Sequence, residues 1–170
     1  YAILAFLFWG VIAPIYFKQV SSVEPLEVLN HRILWSFIVL IPLLFITKQI
    51  NTLKLLLKDY KKLQYLALST FFISINWLAF IWAISNDKIM ETALGYYINP
   101  LVNVLLGYLF FSERMTKNQY IAIFIASLAV IYQLISAGTL PLVSLILGFS
   151  FAFYGLIRKK INVGSIVGLF

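Results

Sequence analysis

The sequence predicts an all-α integral membrane protein: a multi-helix transmembrane bundle made of a first five-helix inverted-topology repeat and the start of a second. Three observations carry that expectation. Long apolar runs alternate with short polar gaps, basic residues crowd into every second gap, and a motif of the first run returns in the sixth. Composition agrees, since 62% of the 170 residues are hydrophobic and only 11% are charged. Soluble domains carry roughly 25% charge, so there is too little polar surface here to cover a water-soluble fold.

The first apolar run, Ala2 to Phe17, carries Trp9-Gly10. It lacks the basic lead-in and small-residue cleavage pattern of a signal peptide, so it is read as a helix that stays in the membrane. The second run, Val28 to Ile46, holds Arg32 just after His31 and within a turn or so of Glu27. Two readings of Arg32 stand side by side. Its stem could snorkel to the outer surface with Glu27 neutralising it, or the charge could serve as a gate or as a ligand for an anionic group.

Between the second and third runs, Asn51 to Gln64 has leucines and Tyr60 at helical spacing, with Lys54, Lys58, Lys61 and Lys62 on the other side. This pattern predicts a short amphipathic helix in the headgroup region, bound to anionic membrane lipid. The third run, Tyr65 to Ile84, places Asn76-Trp77 near its middle.

The fourth run, Thr92 to Phe111, is the richest in polar groups. Tyr96, Asn99 and Asn103 fall at i, i+3 and i+7 and so share a face, with Gly95 and Gly107 beside that seam. Pro100 removes the amide that would bond the carbonyl of Tyr96, which predicts a free acceptor and a hinge at membrane depth. Such groups either glue helices together or line a wet cavity, and the convergence of two amides with a free carbonyl favours the cavity. Glu91, at the outer start of this run, complements the helix dipole or serves as a coupling group for protons. The fifth run, Tyr120 to Ile135, contributes only Gln133, and the sixth, Leu142 to Ile157, carries Tyr154. Trp35 and Trp82 read as lipid-facing rings.

Most runs approach the roughly 20 residues a helix needs to cross the hydrocarbon core, and they are too long and evenly apolar for barrel strands. The gaps set the orientation. Ten of the thirteen Lys and Arg residues lie at Lys48 to Lys62, at Arg114 and Lys117, and at Arg158 to Lys160. Basic loops stay in the cytoplasm, so the first helix starts inside and the N-terminus is cytoplasmic. Ser165 to Phe170 reads as the opening of a seventh span, and with no initiator Met the chain reads as a piece of a longer protein. On this count residues 1–137 form the first repeat, truncated at its N-terminal end, and residues 138–170 begin the second.

The echo fits that division. Phe6-Leu7-Phe8-Trp9-Gly10-Val11-Ile12 returns as Phe151-Ala152-Phe153-Tyr154-Gly155-Leu156-Ile157, an offset of 145 residues. Five helices separate the copies, and an odd number inverts the second relative to the first, as in many secondary transporters.

Several functions are excluded. The net charge of +7 sits in short loops beside apolar spans, which is membrane topology rather than a nucleic-acid surface. Absence of cysteine and the single histidine remove disulfide, thiolate and His-rich metal chemistry. No catalytic constellation or phosphate loop is present, so neither an enzyme nor a cofactor is expected.

The motifs also resemble a known family. Pro100-Leu101-Val102-Asn103, Gly107 and Ser112-Glu113-Arg114 are similar to the end of the fourth helix in EamA-type drug/metabolite transporters, and Trp9-Gly10 and Pro25-Leu26-Glu27 with Arg32 resemble that family's first two helices. Glu24 to Arg32, Asn76-Trp77, Gly95 to Asn103 and Ser150 to Gly155 resemble its RarD branch. Ser112 departs from the glycine usual before Glu113, and Ala122 and Ala129 replace glycines frequent in the fifth helix. The resemblance implies ten helices in two inverted repeats, a bacterial inner-membrane location and export of small molecules, with some members labelled as chloramphenicol-sensitivity or permease proteins.

The expected function is therefore a secondary transporter exporting small drug-like or metabolite solutes by alternating access. Its substrate would touch Tyr96, Asn99, Asn103, Asn76, Trp77, Arg32 and Tyr154. The alternative is a membrane-embedded structural or regulatory subunit that moves nothing, and a second copy of the chain, in a homodimer, is a candidate partner beside the solute and the lipid.

Overall fold

The computed structural model describes residues 2–137, 141–161 and 163–169, and these are almost entirely helical, with no strand among them. The first apolar run is one continuous helical path in three parts. Helix α1 (Ala2–Leu7) passes into a π-helical turn (Phe8–Ile12) and then into α2 (Ala13–Gln19). The amide of Ala13 reaches back to the carbonyl of Phe8, the wider spacing of a π-bulge. Pro14 lies in the first turn of α2 and has no amide to offer the carbonyl of Gly10, so the ordinary ladder is already broken there.

Helix α3 (Pro25–Ile46) starts where Pro25 supplies a preset φ at the first helical position and Glu27 lies in the first turn. It runs through Pro42 without ending. The basic stretch that follows differs from the single amphipathic helix expected over Asn51 to Gln64. Helix α4 (Ile50–Leu57) stops at Lys58, and residues 60–64 belong to the start of α5 (Tyr60–Ser85). The reason is local: Asp59 leaves helical geometry and accepts the amide of Lys62 at 3.1 Å, capping α5. That hydrogen bond favours the carboxylate and holds the Asp59 acid below its usual range.

Helix α6 (Ile89–Phe111) contains Pro100 in its interior and ends at Ser112, which adopts the left-handed conformation with φ 53°. Its amide, and that of Glu113, return to the carbonyl of Gly107. This position favours glycine, which explains the glycine usual there in the resembling sequences. Helices α7 (Lys117–Ala137), α8 (Leu142–Ile161) and the short α9 (Ser165–Leu169) complete the chain. Residues 138–140, where the two repeats were expected to join, and Phe170 lie outside the described residues, as does the side chain of Phe6 in the echoed motif.

Five helices (α3, α5, α6, α7 and α8) are long and apolar enough to span a bilayer. The outer surface is crowded with exposed Leu, Ile, Phe, Trp and Tyr, as a lipid-facing surface requires. Helix α8 lies at the centre and packs most extensively against α6 and α5, while α3 and α2 lean on α5. Helix α7 touches the bundle mainly through α6 and buries Val130.

Two ion pairs agree with the parity of the gaps. Lys18 in the last turn of α2 meets Asp87 after α5 at 2.6 Å, and Lys159 of α8 meets Glu113 after α6. Each joins two gaps that the charge count assigns to one face.

Candidate functional site

A cavity of about 610 Å³ opens between α3, α5 and α8, with α4 and α9 at its far end. Its walls are mainly apolar, broken by Arg32, Ser36, Thr70, Ser74, Trp77 and Tyr154. Arg32 lies seven residues into α3, roughly 10 Å along the axis at about 1.5 Å per residue. Its guanidinium stacks over the ring of Trp77, with the Trp9 ring centroid 6.0 Å away, while Trp9 and Trp77 meet at 5.1 Å and a 48° tilt. A cation over an indole face is held by the ring quadrupole, at about 2 kcal/mol when desolvated. The π-turn carries Trp9 at this contact, where a bulge alters the direction of its side chain.

Arg32 has no carboxylate partner among the described residues. Glu27 instead faces His31 at 3.9 Å, and Nη1 of Arg32 is buried with no hydrogen-bond partner. Neutralisation by Glu27, the first of the two readings of this residue, does not describe the structure. A second cavity, about 570 Å³, has Tyr16, Val20, Val23, His31 and Trp35 in its wall, and Arg32 and Ser36 belong to both. One cavity runs toward α4 and the basic end of the bundle; the other runs toward the loop joining α2 to α3.

The asparagines lie elsewhere. Asn76, buried on α5, donates to the Leu147 carbonyl at 2.9 Å and to Oγ of Ser150 at 3.0 Å, both on α8. Asn99 donates to the Gly148 carbonyl at 3.2 Å, and Asn103 donates to Oδ1 of Asn99 at 2.7 Å. These three amides run along the seams that α8 makes with α5 and α6. Asn103 also borders a smaller recess of about 350 Å³ with Gly155, Glu113 and Lys159.

Tyr96 is half exposed, its ring 6.2 Å from Phe80, which lies 5.9 Å from Trp77. An aromatic chain thus links Tyr96 to the Arg32 stack, although Tyr96 lines neither large cavity. Glu91 pairs with Lys88 at 3.0 Å in the first turn of α6, and its carbonyl accepts Oγ of Ser144 at 2.6 Å. The structure therefore brings Arg32, Trp77 and Tyr154 to one cavity, with Trp9 packed on Trp77, sets Asn76 and Asn99 between helices, and leaves Asn103 exposed at the recess beside Gly155.

Sequence reasoning missed the face of α8 that receives the asparagines. Ser144, Gly148 and Ala152 recur every four residues and are all buried, a small-residue stripe that lets helices approach closely. That spacing was the available signal.

Comparison with known proteins places this geometry in context. A sequence model described as the EamA-like transporter family matches residues 1–136. Protein RarD of Salmonella typhi is 48% identical over 99% of the chain and 57% of its own length. The uncharacterized transporter YojE of Bacillus subtilis is 40% identical over 99% of the chain and 57% of its own length. A protein of Pseudomonas aeruginosa called chloramphenicol-sensitive protein RarD is 30% identical over 93% of the chain and 54% of its length. The chain spans a little over half the length of these curated relatives. No solved structure matches it.

Proposed function

The chain belongs to the EamA-like transporter family, and from that membership we propose that it acts in a RarD-like secondary transporter exporting small drug-like or metabolite solutes by alternating access. The observation that carries the mechanism is the meeting of two cavities at Arg32. One extends toward each end of the bundle, and the Arg32–Trp77–Trp9 stack stands between them. A solute site reached in turn from either face needs such a thin partition.

In this reading Arg32, Trp77 and Tyr154 contact the solute, with Tyr96 at the end of the aromatic chain. Asn76, Asn99 and Asn103 act through α8, whose position sets that of Tyr154. Pro100 gives α6 the place to bend, and Glu91 with Lys88 is the candidate coupling pair. Residues 1–137 would be the first repeat and 138–170 the start of the second, in the bacterial inner membrane with the N-terminus cytoplasmic. The echoed positions support the repeat, since Trp9 of the π-turn packs on Trp77 while Tyr154 of α8 lines the cavity that Trp77 borders. The basic residues around α4 would rest on anionic lipid, and a homodimer would place α7, peripheral and apolar, between protomers.

The chain contains no cysteine, so single reporters can be placed freely. Ser36→Cys, shared by both cavities, should react with a membrane-impermeant maleimide from either face of oriented vesicles. Ser74→Cys should react only from the basic face and Val23→Cys only from the other. Labelling of Ser36→Cys from one face alone would refute alternating access and favour a non-transporting subunit.

A further inference from the structure

We infer that the cavity shared by α3, α5 and α8 takes an organic anion: a carboxylate or phosphate head on Arg32, and an aromatic or aliphatic body along the rings and leucines below it. This rests on the transport reading above and adds the substrate class.

Three features point to this chemistry. The Arg32 guanidinium has a donor nitrogen, Nη1, shielded from solvent and without an acceptor among the described residues. A buried donor left unmatched is unfavourable, and a charge at membrane depth more so, which is why such groups mark substrate pathways. Neither large cavity has Asp or Glu in its wall, so no resident carboxylate competes for the fork. Stacking on Trp77 fixes the guanidinium plane, so a head group that displaces what covers Nη1 would meet a fork set for the planar, two-point contact that carboxylate and phosphate oxygens make.

The remainder of the wall suits a body rather than a second charge. Hydroxyls of Ser36, Thr70, Ser74 and Tyr154 are scattered among leucine and isoleucine side chains, and about 610 Å³ accommodates a drug-sized molecule. Trp77 and Tyr154 offer the flat contacts that select an aromatic or alicyclic ring.

The test is equilibrium binding by calorimetry to the purified full-length protein in detergent, using 3-phenylpropanoate, its neutral amide 3-phenylpropanamide, and phenyl phosphate. The acid or the phosphate should bind at least tenfold more tightly than the amide. Whichever of the two binds better assigns the head group. In Arg32→Gln the preference should vanish while weak amide binding persists, which shows that the variant is folded. In Arg32→Lys part of the preference should return, since a point charge remains without the fork. Equal affinity for acid and amide, a preference that survives in Arg32→Gln, or no binding by any of the three at millimolar concentration would overturn the inference. Cysteine labelling decides alternating access separately, so either reading can fail alone.

Discussion

Replacing Gly95 by alanine should loosen the α6–α8 seam, and the size of the effect follows from its geometry. An added Cβ would lie 2.9 Å from Cβ of Leu147, 3.1 Å from the carbonyl oxygen of Ser144 and 3.3 Å from its Cα. Two of those neighbours are backbone atoms, so no rotamer change relieves them and α8 must shift by a few tenths of an ångström. Overpacking of this kind costs about 1–3 kcal/mol. The shift also stretches the Ser144–Glu91 and Asn99–Gly148 hydrogen bonds, each worth roughly 0.6 kcal/mol between membrane helices. Alanine's better helix propensity returns about 1 kcal/mol. The net expectation is a loss of about 1–3 kcal/mol by these same terms.

Gly10→Ala is the matched control, because nothing lies within 4 Å of its added Cβ, and it should leave stability unchanged or raised. Gly148→Ala should be costly as well. Its Cβ meets Cγ2 of Ile98 at 2.8 Å and Cβ of Ile98 at 3.1 Å, and a β-branched side chain in a helix has little freedom to turn aside. Unfolding of the purified protein by SDS in mixed micelles, followed by far-UV circular dichroism, gives the order directly. Equal stability of Gly95→Ala and Gly10→Ala would refute the close approach of α6 and α8.

Ser112→Gly should stabilise the protein by about 1 kcal/mol in the same assay, because a left-handed φ of 53° penalises a side chain that glycine lacks. Asn76→Leu should cost about 1–2 kcal/mol through its two hydrogen bonds to α8. A double-mutant cycle with Ser150→Ala should show coupling, and additivity would contradict the contact. Asp59→Ala should speed hydrogen exchange at the Lys62 amide, measured by mass spectrometry. Because folding lowers the Asp59 acid, its cap is fully present above about pH 4 and is lost as pH falls through the lowered value. Exchange at Lys62, corrected for intrinsic rate, should therefore rise only in acid, and Asp59→Ala should abolish that rise.

The transmembrane architecture was legible because lipid leaves few choices. Runs such as Val28 to Ile46 and Thr92 to Phe111 had to be helices, and each extends a few residues beyond its apolar core, to Pro25 and to Ile89. The interruption at Lys58–Asp59 was less visible, since leucine spacing continues across it and only the capping preference of Asp59 opposes the pattern. Likewise the π-turn at Phe8–Ile12 follows from Pro14 only once the neighbouring amides are traced. Arg32 was named for its intramembrane charge, Trp77 for its place beside Asn76 in mid-helix and Tyr154 for its echoed position; all three line one cavity. Helical spacing put Tyr96, Asn99 and Asn103 on one face but could not say what that face meets, which depends on the opposing residues of α8.

Residue size decides which polar groups are committed and which are free. Where Gly95 and Gly148 let α6 and α8 approach, a short asparagine spans the gap, so Asn99 spends its donor on the Gly148 carbonyl. Asn76 does the same across the α5–α8 seam. Between the first helical path and α5 the contacts run through rings instead, with Phe17 and Trp9 within about 6 Å of Trp77. The two cavities beside Arg32 lie next to this ring cluster. On the transport reading proposed above, a solute in either cavity would lie beside Arg32 without parting two helices, whereas engaging Asn76 would require separating α5 from α8. Changes at Arg32 should accordingly alter ligand preference at a stability cost no larger than its stack on Trp77, about 2 kcal/mol, and changes at Asn76 should act chiefly on stability.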